Sequence, residues 1–166
     1  QDWARLDASL WRDMPIDRIQ RIVDNIPYTD GAKEVITTLR GIGFKVALLS
    51  AGLSIVTDRI NRDVGVDYSI ANELIVKNDL LTGEVKVNVL FSNKDEVLCY
   101  ILQKFDATLD ECAAIGDDET LIPLFGRVGL GIAFNPRKKI VGKHAHVVIK
   151  SRDLRDMLPY LLTKNI

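Results

Sequence analysis

The stretch that most constrains this chain is AAIGDDETLIPLFGRVGLGIAFN, Ala113 to Asn135. A short apolar run, Cys112 to Ile115, meets Gly116 and passes into three consecutive acids, Asp117, Asp118 and Glu119. A run that is apolar on both faces fits a strand buried in a parallel sheet, and the carboxyl edge of such a sheet is where ligands and charge collect. Three adjacent carboxylates there predict a cation close by. The amphipathic segment 121–126 follows, and Gly129, Leu130, Gly131, Ile132 and Ala133 form a second apolar run. Strand, acidic loop, helix and strand in that order are the repeating unit of a layered α/β fold.

The rest of the chain obeys the same alternation. Trp3 to Arg12 reads as a helical turn or two, and Pro15 suits the first turn of a helix over Ile16–Ile26 with Ile16, Ile19, Ile22 and Val23 inward. Ala32, Val35, Ile36 and Leu39 mark a third helix, ended by Gly41 and Gly43. Phe44 to Leu49 is apolar except for Lys45 and predicts a strand that stops at Ser50, Ala51 and Gly52, before a helix from Leu53 closed by Gly65. Tyr68–Val76 and Leu80–Leu90 flank Asn78-Asp79, the signature of a β-hairpin with a tight turn. Ser92 is placed to cap a helix whose inner face is Val97, Leu98, Ile101, Leu102 and Phe105. That puts Lys94 in the first turn, where it opposes the helix dipole, so its charge points to a nearby anion rather than to the helix. A helix over 136–143, a strand His146–Ile149 and a last helix capped by Ser151 complete the chain.

Composition excludes more than it assigns. The chain is 47% hydrophobic and 27% charged with a formal net charge of -1, which gives no general attraction to nucleic acid or to an anionic membrane. No apolar run reaches the ~20 residues that span a bilayer, and the polar start Gln1-Asp2 is unlike a signal peptide, so a cytoplasmic protein is expected. Cys99 and Cys112 read as two reduced core thiols. His144 and His146 read as a helix-end and a strand-start histidine rather than a metal pair, and Gly129-Leu130-Gly131 lacks the third glycine of a dinucleotide loop. Arg137, Lys138, Lys139 and Lys143 read as a solvated helix face.

Ser50, with the backbone N–H groups of Ala51 and Gly52, can hold an oxyanion at a helix start; Lys94 can neutralise it, and Asp117 can hold a hard cation beside it. Together these describe a phosphate site. The order Ser50, Lys94, Asp117 resembles the haloacid-dehalogenase (HAD)-type phosphatases, most closely their archaeal phosphoserine phosphatase branch. VALLSAG (46–52) resembles the family's second motif, Lys94 in SNKDEVL its third and IGDDETLIPLF its fourth, and LGIAFN and KSRDLRDML are similar too. The resemblance implies a three-layer Rossmann-like core with a mostly parallel sheet. It also implies phosphoryl transfer through an aspartyl-phosphate, Ser50, Ala51, Gly52 and Lys94 as phosphate ligands, Mg²⁺ as cofactor, and Asp117 as a metal ligand with Asp118 as a second candidate.

The departures define further expectations. The family's first motif, an apolar strand ending in D-x-D-x-T, supplies the nucleophile, and no such sequence occurs between Gln1 and Ile166. The expectation is a truncated chain whose first motif lies roughly forty to fifty residues upstream, leaving no catalytic nucleophile and a gap in the middle of the sheet. Leu121 stands where the family has a second acid, and Asp7 where phosphoserine phosphatases place an arginine for the substrate carboxylate, with Arg5 two positions away. Residues 1–26 are expected to be the remnant of a helical cap and 27–166 the HAD-like core. The function implied is Mg²⁺-dependent hydrolysis of a small phosphorylated metabolite, inactive in the chain as written. The alternative is a degenerate member that keeps the fold for binding or regulation. A second copy is admitted as a partner through the cap remnant, where Trp3 and Trp11 lie, or through the sheet gap.

Overall fold

The computed structural model describes residues 3–163, with the side chain of Trp3 outside the described set. In chain order the elements are α1 (Trp3–Leu10), α2 (Ile16–Asp24), α3 (Ala32–Gly41), β1 (Ala47–Leu53), α4 (Ser54–Val64), β2 (Tyr68–Lys77), β3 (Leu80–Lys86), α5 (Lys94–Phe105), β4 (Ala113–Gly116), α6 (Ile122–Phe125), β5 (Leu130–Phe134), α7 (Lys139–His144), β6 (Val147–Ile149) and α8 (Leu158–Thr163). Short 3-10 turns lead into α5, α6 and α8. The α/β alternation is the one predicted. The strands form two three-stranded sheets, ordered β1-β2-β3 and β4-β5-β6, with β1 and β4 each at the edge of its own sheet. None of the described helices is long and apolar enough to cross a membrane.

The chain divides into two compact units. The first joins the residues up to Pro27, of which 1–26 were expected to be an appendage, with Gly43–Asn93. Here β1 runs parallel to β2, and β2 and β3 form the antiparallel hairpin. Asn78 and Asp79 both take positive φ, 51° and 62°, the conformation that a two-residue type I′ turn requires and that Asn and Asp tolerate better than most residues. Ile19 and Val23 of α2 meet Ile55 of α4 and Leu81 of β3 in an apolar cluster, with Trp11, Met14, Ile16, Leu53 and Leu74 packed against it. Trp11, read above as part of a self-association patch, is therefore half-buried. Ile22, predicted inward, is 58% exposed, because the inner face of α2 is made by Ile16, Ile19 and Val23.

The second unit joins Tyr28–Ile42 to the chain from Lys94 onward. Its sheet is all parallel, and every residue of its central strand β5 is buried, as a strand covered on both faces demands. The glycines that resemble half of a dinucleotide loop have a packing role instead. A Cβ on Gly129 would lie 1.9 Å from the Asp110 carbonyl oxygen, and one on Gly131 2.8 Å from the Phe125 ring. One cap and one thiol differ from expectation. Asp153 rather than Ser151 caps the last helical segment, its carboxylate accepting the Arg155 N–H, while Ser151 Oγ accepts from Asp153 N. Cys99 is exposed, since it falls on the outer face of α5, whereas Cys112 is half-buried and desolvation pushes its thiol up.

Candidate active site

On the first unit the candidate phosphate loop is a bulge rather than a strand end. β1 does not stop at Leu49: Leu49 faces Ile70, Leu53 faces Asn72, and Ser50, Ala51 and Gly52 occupy the space between, three residues against one. Small side chains make this possible. Ser50 Oγ accepts the Gly52 N–H at 3.0 Å, a local bond that turns the backbone and leaves the hydroxyl proton to donate outward. The bulge is clamped by Asn72, which is 1% exposed. Its amide nitrogen donates to Ala51 O (2.8 Å) and Val89 O (3.1 Å), and its oxygen accepts from Asn88 N (2.8 Å) and Val89 N (2.9 Å). Every donor and acceptor of that buried amide is satisfied, and together they tie the bulge to the segment that follows β3.

On the second unit β4 delivers Gly116 and the acidic loop, and α5 delivers Lys94. Lys94 is buried, 7% exposed, and donates to Thr120 Oγ1. Thr120 in turn donates to Asp118 Oδ1, which also accepts the Thr120 N–H at 2.9 Å and so caps the 3-10 turn at 119–121. Desolvation lowers the Lys94 ammonium from its ordinary value, and the charges of Asp118 and then Asp117 work against that shift. The cation predicted beside the acids is present more than once. Arg137 Nε lies 2.8 Å from Asp117 Oδ2, and Arg137 N donates to the Asp117 carbonyl at 2.9 Å. Lys138 Nζ lies 2.6 Å from Glu119 Oε2. Arg137 and Lys138 are solvent-exposed as expected, but they precede α7 and bridge back to the loop after β4.

Leu121 shows where the acidic loop turns apolar. A Cβ on Gly116 would sit 2.0 Å from Leu121 Cδ1, so the leucine lies directly over the end of β4, against the cluster of Phe125, Ala133 and Val141. Among the described residues no three His, Cys, Asp or Glu side chains gather where one metal ion could bind. One oxygen of each acid, Asp117 Oδ2, Asp118 Oδ1 and Glu119 Oε2, is engaged by Arg137, Thr120 and Lys138 respectively, so these residues do not by themselves form a divalent-cation site. His144, at the end of α7, has Nδ1 2.9 Å from Ile140 O, and His146, just before β6, accepts at Nδ1 from Gly131 N of β5 at 2.8 Å.

The structure therefore joins Lys94 to the acidic loop, through Asp118 and Thr120, and sets Ser50, Ala51 and Gly52 in a clamped bulge of the other unit. Sequence reasoning missed Thr120, Asn72, Arg137 and Lys138. Only Asn72 carried a signal, as the amide interrupting the apolar run of β2.

A parallel sheet with an acidic carboxyl edge, a buried lysine bound into that edge and a small-residue bulge before a helix define a class, and comparison agrees with it. Residues 2–124 match the haloacid dehalogenase-like hydrolase family, and the chain belongs to that family. Within the family it is similar to phosphoserine phosphatases. The phosphoserine phosphatase of Methanocaldococcus jannaschii is 39% identical over 95% of this chain and 74% of its own length. That of Archaeoglobus fulgidus is 36% identical over 78% of this chain and 38% of its own. A solved phosphoserine phosphatase carrying a phospho-aspartyl intermediate analogue superimposes with a TM-score of 0.85 at 38% identity, covering 95% of this chain and 75% of the other. The Rossmann-like α/β fold is common to both.

Proposed function

We propose that this chain is the phosphate-holding part of a Mg²⁺-dependent phosphoric monoester hydrolase of the phosphoserine phosphatase type. The observation that carries the reading is Lys94, a buried ammonium bonded into the acidic edge of β4 in a chain 39% identical to a phosphoserine phosphatase. An uncompensated buried ammonium is costly, and a fold retains one where its charge meets an anion. In this reading Ser50, Ala51, Gly52 and Lys94 take the oxygens of a small phosphorylated metabolite. Asp117 supplies one carboxylate to Mg²⁺, and Asp118, whose Oδ1 is engaged by Thr120, is the weaker ligand. The ion would offset phosphate charge, and the described residues hold only part of its donor set.

The chain contains no Asp-x-Asp-x-Thr sequence, so by itself it is expected to hydrolyse no phosphoserine with or without Mg²⁺. Turnover that Asp117→Asn abolishes would contradict this. A fusion supplying such a strand ahead of Gln1 is expected to gain Mg²⁺-dependent phosphoserine hydrolysis that Lys94→Ala removes. Leu121 lying over Gly116 favours a second reading, a member of the family that binds phosphorylated ligands without turning them over. A fusion that binds phosphoserine and stays inactive would support it.

A further inference from the structure

Three groups of the second unit form a chain of hydrogen bonds whose polarity is dictated by chemistry. An ammonium only donates and a carboxylate only accepts, so the Thr120 hydroxyl between them accepts from Lys94 Nζ and donates to Asp118 Oδ1. The same Asp118 oxygen accepts the Thr120 backbone N–H at 2.9 Å, so the position of the hydroxyl is set by the backbone of the 3-10 turn and not by a free rotamer. Thr120 is the one hydrogen-bond acceptor of the Lys94 ammonium among the described residues, which leaves two N–H bonds on a side chain only 7% exposed.

We infer that Thr120 and Asp118 are positioning residues for Lys94: Asp118 orients the Thr120 hydroxyl, and the hydroxyl tethers the ammonium so that its two remaining N–H bonds point at a phosphate oxygen. This rests on the reading of Lys94 as a phosphate ligand. A lysine has a flexible four-carbon stem, and holding its tip before the ligand arrives removes the ordering cost from the binding step. The tether also sets the Asp118 carboxylate beside the ammonium, which favours its charged form against the desolvation that opposes it.

The test compares two pairs of variants of the full chain, Thr120→Val with Thr120→Ser, and Asp118→Ala with Asp118→Asn. In each pair the first loses the hydroxyl or the acceptor, and the second keeps it, so a role in packing alone would not separate them. Two quantities are read: the rate of Lys94 acetylation by acetic anhydride, followed by mass spectrometry, and the affinity for orthophosphate by calorimetry. Thr120→Val and Asp118→Ala are expected to raise the labelling rate about fivefold and to weaken orthophosphate about tenfold, Thr120→Ser to stay within about twofold of the unaltered chain, and Asp118→Asn, which keeps the acceptor but loses the carboxylate's charge, to fall between Asp118→Ala and the unaltered chain. Equal Lys94 labelling in Thr120→Val and the unaltered chain, with orthophosphate still bound, overturns the tether alone. Loss in Thr120→Ser as large as in Thr120→Val overturns the role of the hydroxyl. An unaltered chain that takes up no orthophosphate overturns the phosphate-site reading and the anion invoked here with it, and the labelling rates then judge the tether by itself.

Discussion

At the scale of single residues, Lys94 sets a conflict between stability and binding. Its burial disfavours the charged form, with Asp118 and Asp117 offsetting only part of the cost, so replacing it by an apolar side chain of similar length removes an unfavourable term. Lys94→Met is expected to raise Tm by about 2–4 °C at neutral pH while abolishing orthophosphate binding, measured by thermal melts and calorimetry. The sign of the pH dependence follows. Because the folded-state value is lowered from 10.5, the unfolded chain binds more protons between the two values. This residue's contribution to stability therefore rises with pH across that interval and is fully present above 10.5. The Tm advantage of Lys94→Met should shrink as the pH climbs towards 10.5; an advantage that grew would reverse the assigned cause. Lys94 was legible in the sequence because a cation in the first turn of a helix is a local misfit. Thr120 was not, because its partner lies 26 positions away and a threonine in a turn has many ordinary reasons to be there.

At the scale of elements, the β1 bulge depends on β2. Ser50, Ala51 and Gly52 were legible as a break in an apolar run, but the run predicted a strand that ends there, whereas the strand resumes at Leu53 against Asn72. Periodicity reports which residues are apolar and is blind to a side chain standing in for a missing ladder bond. Asn72 does so for Ala51 on one side and for Asn88 and Val89 on the other. Asn72→Leu leaves those backbone groups without partners in the interior and is expected to cost about 3 kcal/mol in urea unfolding. A loss below about 0.5 kcal/mol would show that the clamp is dispensable. The hairpin was read correctly because its turn chemistry is local: Asn78 and Asp79 are adjacent and both tolerate positive φ. The pairing of Arg137 and Lys138 with the acidic loop is non-local, about 20 residues apart, so the sequence showed their exposure but not their partners.

At the scale of the whole molecule, the alternation of elements and the family were legible, since apolar strand runs and three short signatures lie in a fixed order along the chain. The grouping of the elements was less so. The sequence suggested an appendage followed by a core, while contacts divide the chain into two units, each containing two separate stretches. Ser50 lies in one unit and Lys94 and Asp117 in the other, and the proposal that these residues take up phosphate is best tested residue by residue in one experiment. A titration of the ¹⁵N-labelled chain with orthophosphate, followed by amide chemical shifts, reads every relevant residue in one experiment. The account predicts that the amides of Ser50, Ala51 and Gly52, those at the start of α5 and those of Asp117 to Thr120 shift as orthophosphate is added. Shifts confined to one unit would contradict it.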